Sequence, residues 1–416
     1  MAKELDINFL DPQEKVDWFS SYTTLQEEAP VYYMPSIDMY VLTRYEDLKF
    51  VLSDSKRFTV GTSATGASLY KSEAAHKIYK EKGWTRYQPL SENDPKHWSY
   101  RNLIDPFMTP AAVAKREPFI RETANQLIDQ WIDKGEVEFV KNYAELLPMM
   151  VIAEIMGFPR MDIPQLQRWS FAWALPYTRG LSEEQEIFCA TNHVEMQRYI
   201  YDTMEEKRKN PTDDLISNVV HADYIDPFTN EKRDLTDEEL IGIFDNCLVG
   251  GNETTAFAIS SGLALLLKNP EVYKAIESDR SKIRRFVEET LRLEAPAQGL
   301  QRVAEEDVEI HGVKIPKGAT IHVRYGAANR DPNQFPCPHM LDLERKNAMK
   351  HMAFSQGEHF CPGAALSRLE QKCTWEIMFD RLENIREVPG KNDYAQLPGA
   401  LFRALRELHV QFDKKA

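Results

Sequence analysis

The segment 236–268 constrains this chain more than any other. It opens with Thr236-Asp-Glu-Glu239, a capping box in which a hydroxyl and a carboxylate satisfy the first orphan backbone N–H groups reciprocally. No proline interrupts it until Asn269-Pro270. The pattern predicts one helix roughly 50 Å long, enough to cross a whole domain. Its middle is apolar on most faces, so it must be buried, with other elements wrapped around it. Yet Gly250-Gly251 stands at its centre. Paired glycines cost about 1 kcal/mol each relative to alanine. Tolerating them implies that something approaches the backbone closely there.

The rest of the chain continues the helical theme. Residues 117–133 carry apolar side chains at helical spacing. Strand signals are few. Residues 31–33 and 39–42 flank Pro35-Ser-Ile-Asp38 as a hairpin-like pair. Residues 308–310, 313–315 and 320–323, separated by His311-Gly312 and Pro316-Lys317-Gly318, predict a three-stranded meander. Residues 331–350, rich in Pro, Asn and charge, read as ordered coil. With no repeat, linker or composition break, residues 1–416 are expected to form a single domain, mainly α with a small β part.

The formal charge of −14 argues against a protein that coats nucleic acid or an anionic bilayer, because its field repels phosphate. The first ten residues lack the apolar core of a secretion signal. The longest apolar-rich run, 254–267, is too short to span a bilayer and follows Glu253 directly. The expectation is a cytoplasmic protein that partners neither nucleic acid nor membrane. Five thinly spread cysteines do not suggest a disulfide framework.

One cysteine stands apart, in Phe354-Ser-Gln-Gly-Glu-His-Phe-Cys-Pro-Gly363 followed by a helical run. Gly357 permits a tight turn, and Gly363 lets the chain enter the next helix unobstructed. Cys361 therefore precedes a helix N-terminus, where unpaired N–H groups and the dipole favour a thiolate. A thiolate on a rigid loop is a ligand for soft or borderline metals, haem iron included. The plain alternatives are an inert buried cysteine and a zinc site with His351, His359 and Cys337. The absence of a C-x-x-C pair weakens the zinc reading.

The Phe-x-x-Gly-x-His-x-Cys-x-Gly pattern resembles the signature of the cytochrome P-450 family, the haem-thiolate monooxygenases. Three more segments agree in order and spacing: Gly250-Gly-Asn-Glu-Thr-Thr255, Glu289-Thr-Leu-Arg292 and Ala328-Asn-Arg-Asp-Pro332. The resemblance runs from about residue 30 to the C-terminus. It is strongest to soluble bacterial members such as the camphor hydroxylase, which shares Leu248-Val-Gly-Gly251 and Phe335-Pro-Cys-Pro338. It implies a long central helix over a buried haem b, with Cys361 as iron ligand and Phe354 and Gly363 in its loop. Gly250 and Gly251 then make room for the haem and its oxygen. Glu253 and Thr254 would be the catalytic acid and hydroxyl that deliver protons. His97, Arg101, Arg302 and His359 match positions that bind haem propionates. Glu289 and Arg292, by spacing alone a surface ion pair of little worth, are implied to be a buried structural pair. Met340 stands where many relatives carry an arginine, so the third member of that network is open.

No flavin or nicotinamide fingerprint and no iron–sulfur cysteine cluster occurs in the sequence. Electrons are therefore expected from NAD(P)H through a ferredoxin and its reductase. Arg345, Lys346, Lys350, Arg368 and Lys372 could form the basic landing area. Positions that meet substrate in the family hold Trp84, Tyr87, Gln88, Phe171, Trp173, Asn246, Val249, Gln298 and Leu300. Aromatics mixed with amides suit a small, partly polar molecule. The expected reaction is oxidative O-demethylation of a methyl ether such as an O-methyl sugar, with terpenoid or aromatic hydroxylation as the alternative. A haem sensor without turnover, or a peroxide-driven peroxygenase, has less need of the Glu253–Thr254 pair.

Overall fold

A computed structural model describes residues 5–11, 18–60, 70–178, 181–397 and 399–415. The central helix spans Asp237–Lys268. The Thr236 hydroxyl accepts from the Glu239 N–H at 3.2 Å, and the Glu239 carboxylate accepts from the Thr236 N–H at 2.8 Å. Asn269 ends the helix and Pro270 starts the next, Pro270–Ser278. Five helices pack along it: Leu146–Met156, Ile163–Ala174, Glu183–Lys209, Ile283–Leu293 and Ala364–Arg381. Leu240, Ile243, Phe244, Leu248, Ile259 and Leu263 are all buried by them, each contributing about 1.5–3 kcal/mol. Contact with the last of these helices is tight at Gly262, where a Cβ would lie 2.5 Å from Trp375 Cζ2. Gly250 is the exception. It is exposed in the middle of this buried helix.

The β part is a five-stranded sheet in the spatial order Val31–Met34, Met39–Leu42, Thr320–Val323, Leu300–Ala304, Phe58–Thr59. The first two strands form the antiparallel hairpin, with Val31 opposite Leu42. The meander expected at residues 308–323 is corrected. Val308–Ile310 and Val313–Ile315 pair only with each other, while Thr320–Val323 runs parallel to Met39–Leu42 and antiparallel to Leu300–Ala304. Gly318, at φ +82°, turns the chain away from the small hairpin. Ile321 and Val323 then become fully buried beside Leu42 and Leu48, a larger apolar gain than a third hairpin strand offers.

The helix expected over residues 117–133 runs Glu117–Asp129, and Trp131 just beyond it turns into the core. Among the described residues, no helix is long and apolar enough to cross a membrane.

Candidate active site

The cysteine loop is braced at both ends. The Cys361 N–H donates to the Phe354 carbonyl at 3.0 Å. Gly357 adopts φ +72°, and a Cβ there would lie 2.2 Å from the Leu52 carbonyl, so only glycine fits this turn. Helix Ala364–Arg381 begins directly after Gly363. Burial pushes the Cys361 thiol up. The N–H groups of Gly363 and Ala364 and the charges of Arg101 and Arg368 act the other way and favour the thiolate.

Two carboxylates on helix Ile283–Leu293 anchor this side. Glu289 and Arg292 are fully buried and bidentate, at 2.6 and 2.9 Å. Arg292 also donates to the carbonyls of Asn329, Pro338 and Met340, pinning the coil that precedes the loop. The third member of the network, open on sequence grounds, is Arg345, whose Nε lies 3.1 Å from Glu289 Oε1. Met340 is exposed and contributes its carbonyl only. The neighbouring Glu288 accepts from Arg368 Nε at 2.7 Å and lies 3.1 Å from His351 Nε2. Burial opposes its charge, but these two partners outweigh it and hold the carboxyl down to about 2. Burial lowers the His351 pKa, so Arg368 carries the balancing charge. Arg345 and Arg368, expected in a landing area, are therefore tied inward.

A second cluster gathers His97, Arg101, Arg302 and His359, with Asp105 on Arg101 Nε at 2.8 Å and Asp94 3.8 Å from His97 Nδ1. The rings of His97 and His359 lie 4.1 Å apart, centroid to centroid. Both His97 ring nitrogens are buried without a hydrogen-bond partner. Arg101 donates to the Phe360 carbonyl at 3.1 Å, and Arg302 is buried with Nη1 on the Gln301 carbonyl. Burial and the Arg101 charge lower His97 to about 4. Burial, His97 and Arg302 lower His359 to about 3. Two buried arginines beside a histidine with unpartnered ring nitrogens still leave donor capacity that an anion could take up.

On the central helix Asn246, Gly250 and Thr254 recur at four-residue spacing and form one partly open stripe. A Cβ on Gly250 would meet nothing within 4 Å, whereas one on Gly251 would lie 2.9 Å from Ile152 Cγ1. The Thr254 hydroxyl donates to the Gly250 carbonyl at 3.4 Å. Glu253 points toward the cover helix Ile163–Ala174 and accepts from the Ser170 hydroxyl at 2.9 Å. Ser170 also accepts from Asn252 at 3.3 Å. Burial pushes the Glu253 carboxyl up to about 7, against the pull of Ser170.

The positions expected to meet substrate divide. Val249 is buried in the central helix, and Asn246 Nδ2 donates to Asp245 at 2.8 Å. Gln298 is spent on the Tyr22 hydroxyl and the Ala295 carbonyl. Leu300 is 43% exposed. Trp84 stacks on Tyr201, and the Tyr87 hydroxyl is held by Glu92 and Lys96. In the extended segment 84–88 the buried residues are Arg86 and Gln88, with Tyr87 half-buried between them and Thr85 exposed. Arg86 escaped the sequence reading; the two-residue period was the signal that could have found it.

The geometry defines a helical protein with a half-buried cysteine at a helix N-terminus, an anion-seeking His/Arg cluster and a glycine gap in a long helix. The residues present fit a haem: Cys361 would bind its iron, and His97, Arg101, Arg302 and His359 its propionates. The family model for Cytochrome P450 matches residues 167–392. The Biotin biosynthesis cytochrome P450 of Bacillus subtilis (strain 168) is 32% identical over 400 residues, 95% of this chain and 96% of the relative. The 6-deoxyerythronolide B hydroxylase of Saccharopolyspora erythraea is 30% identical, over 96% of each chain. The structure of P450BioI in complex with hexadec-9Z-enoic acid ligated acyl carrier protein superposes with a TM-score of 0.86 at 29% identity, covering 96% of this chain and 100% of that one. The chain belongs to the cytochrome P450 family. It is a haem b monooxygenase that uses O2 on a small molecule, with reducing equivalents from NAD(P)H through redox partners.

Proposed function

We propose that this enzyme oxidatively demethylates a small, oxygen-rich methyl ether such as an O-methyl sugar, with electrons from a ferredoxin and its reductase. The observation that carries the reading is the wall facing the open stripe of the central helix. Arg86 and Gln88 place hydrogen-bonding groups beside the rings of Trp173 and Tyr177, which lie 5.4 Å apart, and Asn246 adds an amide on the stripe itself. An apolar substrate would leave such groups unpaired, at a cost that polar substrates avoid. One fold serves many substrates, so the substrate is argued from these walls alone.

When bound, the haem supplies an oxidant made from O2 and two electrons. The chain supplies the protons. Glu253, near neutrality and tethered by a single hydroxyl, can release one toward Thr254 and recharge from the cover-helix side. In balance, R–O–CH3, O2, two electrons and two protons give R–O–CH2–OH and water. The hemiacetal then expels formaldehyde and leaves R–OH. Support for an acidic donor protein comes from Arg284, Arg285 and Lys346, exposed around a shallow cavity of about 220 Å³ that Glu288 also lines, and from exposed Lys350 nearby in the chain.

The test offers O-methyl hexoses, terpenes and aromatic ethers to the holoenzyme with a ferredoxin, its reductase and NAD(P)H. O-methyl hexoses should convert the haem from low to high spin and release formaldehyde equimolar with NAD(P)H consumed. A spin shift confined to terpenes would overturn the reading.

A further inference from the structure

A hydrogen-bond chain joins three helices and ends on the open stripe. Tyr79 stands on helix Glu73–Lys82, His193 on helix Glu183–Lys209, and Asp245 with Asn246 on the central helix. The Tyr79 hydroxyl lies 2.7 Å from His193 Nδ1, and His193 Nε2 lies 3.0 Å from Asp245 Oδ2. Asn246 Nδ2 lies 2.8 Å from Asp245 Oδ1. His193 and Asp245 are buried.

Chemistry forces the direction of each bond. A carboxylate only accepts, so both groups facing Asp245 donate. Burial lowers the His193 pKa, so the ring carries a single N–H. That hydrogen sits on Nε2, against Asp245, and leaves Nδ1 to accept from the Tyr79 hydroxyl. Burial raises the Tyr79 pKa well above the usual phenol value, which keeps its hydrogen in place. With that hydrogen spent on His193, the Tyr70 hydroxyl, 3.3 Å from that of Tyr79, donates in turn. At the other end Asn246 must show its NH2 to Asp245, because the flipped amide would bring two acceptors to 2.8 Å.

Asn246 Oδ1 is left over. Among the described residues nothing donates to it. Asn246 is half-buried on the stripe it shares with Gly250 and Thr254, whereas Asp245 beside it turns inward to His193. The amide corner away from Asp245 is therefore the one on the open side. Gly250 follows at about 6 Å along the helix axis, and a Cβ there would meet nothing within 4 Å. One six-membered ring spans that separation. A ligand lying over the glycine gap thus meets an acceptor that an O–H or N–H satisfies and an ether or carbonyl oxygen does not.

We propose that Asp245 is a positioning residue: by holding Asn246 Nδ2 it keeps the Asn246 amide oxygen turned to the stripe, where that oxygen selects substrates offering a hydroxyl hydrogen. For the substrate's class this rests on the reading of an oxygen-rich methyl ether. It names the contact that separates a polyol from an ether or ketone of similar size.

The test gives holoenzyme paired ligands with and without a free hydroxyl: mono-O-methyl hexoses against methoxymethyl-oxane, methoxycyclohexanol against methoxycyclohexanone, and menthol against menthone. Binding is read by calorimetry and by spin-state titration. Haem content and the carbon monoxide difference spectrum serve as folding controls. Wild type should prefer the hydroxyl member of the hexose pair, and Asn246→Leu should lower that preference about 5- to 10-fold. Asp245→Leu fills similar space without a buried charge. It frees the amide to turn and should tighten the acceptor-only members about fivefold, a gain that a loosened fold does not produce. Where Asp245→Leu fails to hold haem, the Asn246→Leu result decides. A wild type without preference in any pair, or an Asn246→Leu protein that keeps it, overturns the proposal. So does an Asp245→Leu protein that weakens both members alike, which would make the chain a brace between helices. A preference confined to the carbocyclic pairs, or hexose binding without formaldehyde release, would instead sink the demethylation reading and leave the Asn246 acceptor standing.

Discussion

The two faces of the site spend their polar groups differently. On the sulfur side strong charges are closed within the protein: Glu289 takes Arg292 and Arg345, and Glu288 takes Arg368 and His351. On the opposite face Glu253 accepts one hydroxyl, Arg86 keeps two nitrogens unbonded among the described residues, and Gly250 fronts open space. A closed network fixes a single geometry, which a metal-binding loop needs. An open one keeps bonding capacity for a ligand and for a proton donor that must move.

The contrast breaks or holds first on stability. Arg345→Met leaves the Glu289–Arg292 pair short of a buried cation and should cost about 3–5 kcal/mol. Ser170→Ala on the opposite face removes the hydroxyl that donates to Glu253 and accepts from Asn252, and should cost about 1–2 kcal/mol. Urea denaturation of the two haem-loaded variants decides it. Equal losses would mean the faces are built alike.

What could be read from the sequence follows the same division. The central helix and the cysteine loop were legible because their determinants are local: a capping box, a proline stop, and glycines at a turn and a helix entry. Arg345 was not, because it lies in coil while its partner Glu289 stands on the helix Ile283–Leu293, and nothing nearby in the chain marks the pairing. It was counted instead, with Arg368, among surface cations. Gln298 likewise passed for a substrate contact until its bonds to Tyr22 and Ala295 were seen. Trp84, Tyr87 and Gln88 stand out by type, whereas Arg86 is marked only by the alternation of an extended segment. The strand Thr320–Val323 was assigned to its sequence neighbours because a parallel partner near residue 40 leaves no local trace.

The next prediction sets the faces on opposite pH slopes. Glu288 is held down to about 2 against an ordinary value of 4.5. Its stabilisation is therefore complete above 4.5 and drains away as pH falls toward 2. Glu253 is pushed up to about 7, so the folded state binds its proton more tightly than the unfolded chain does. That carboxyl costs progressively more stability as pH rises from 4.5 to 7. Catalytically, the protonated donor is depleted through the same window, so product formed per NAD(P)H should fall as pH rises through about 7. Glu253→Gln should abolish this inflection in the coupling ratio. Thr254→Ala should retain the substrate-induced spin shift while uncoupling NAD(P)H use about tenfold or more. An inflection that persists in Glu253→Gln would place the proton source elsewhere.

The smallest effect separates two adjacent residues. Gly250→Ala adds a methyl that meets no atom within 4 Å, so the helix should gain about 1 kcal/mol from propensity alone. Gly251→Ala drives its methyl to 2.9 Å from Ile152 Cγ1 and 3.0 Å from Cδ1. The packing strain, about 1–3 kcal/mol, should cancel or exceed the same propensity gain. Denaturation of the haem-free variants should thus find Gly250→Ala more stable than wild type and Gly251→Ala no better. The spin-state titration should invert the order, because only the Gly250 methyl projects onto the open stripe shared by Asn246 and Thr254. A Gly250→Ala protein that is stabilised and still binds its substrate as tightly as wild type would show that this gap does not serve the ligand side.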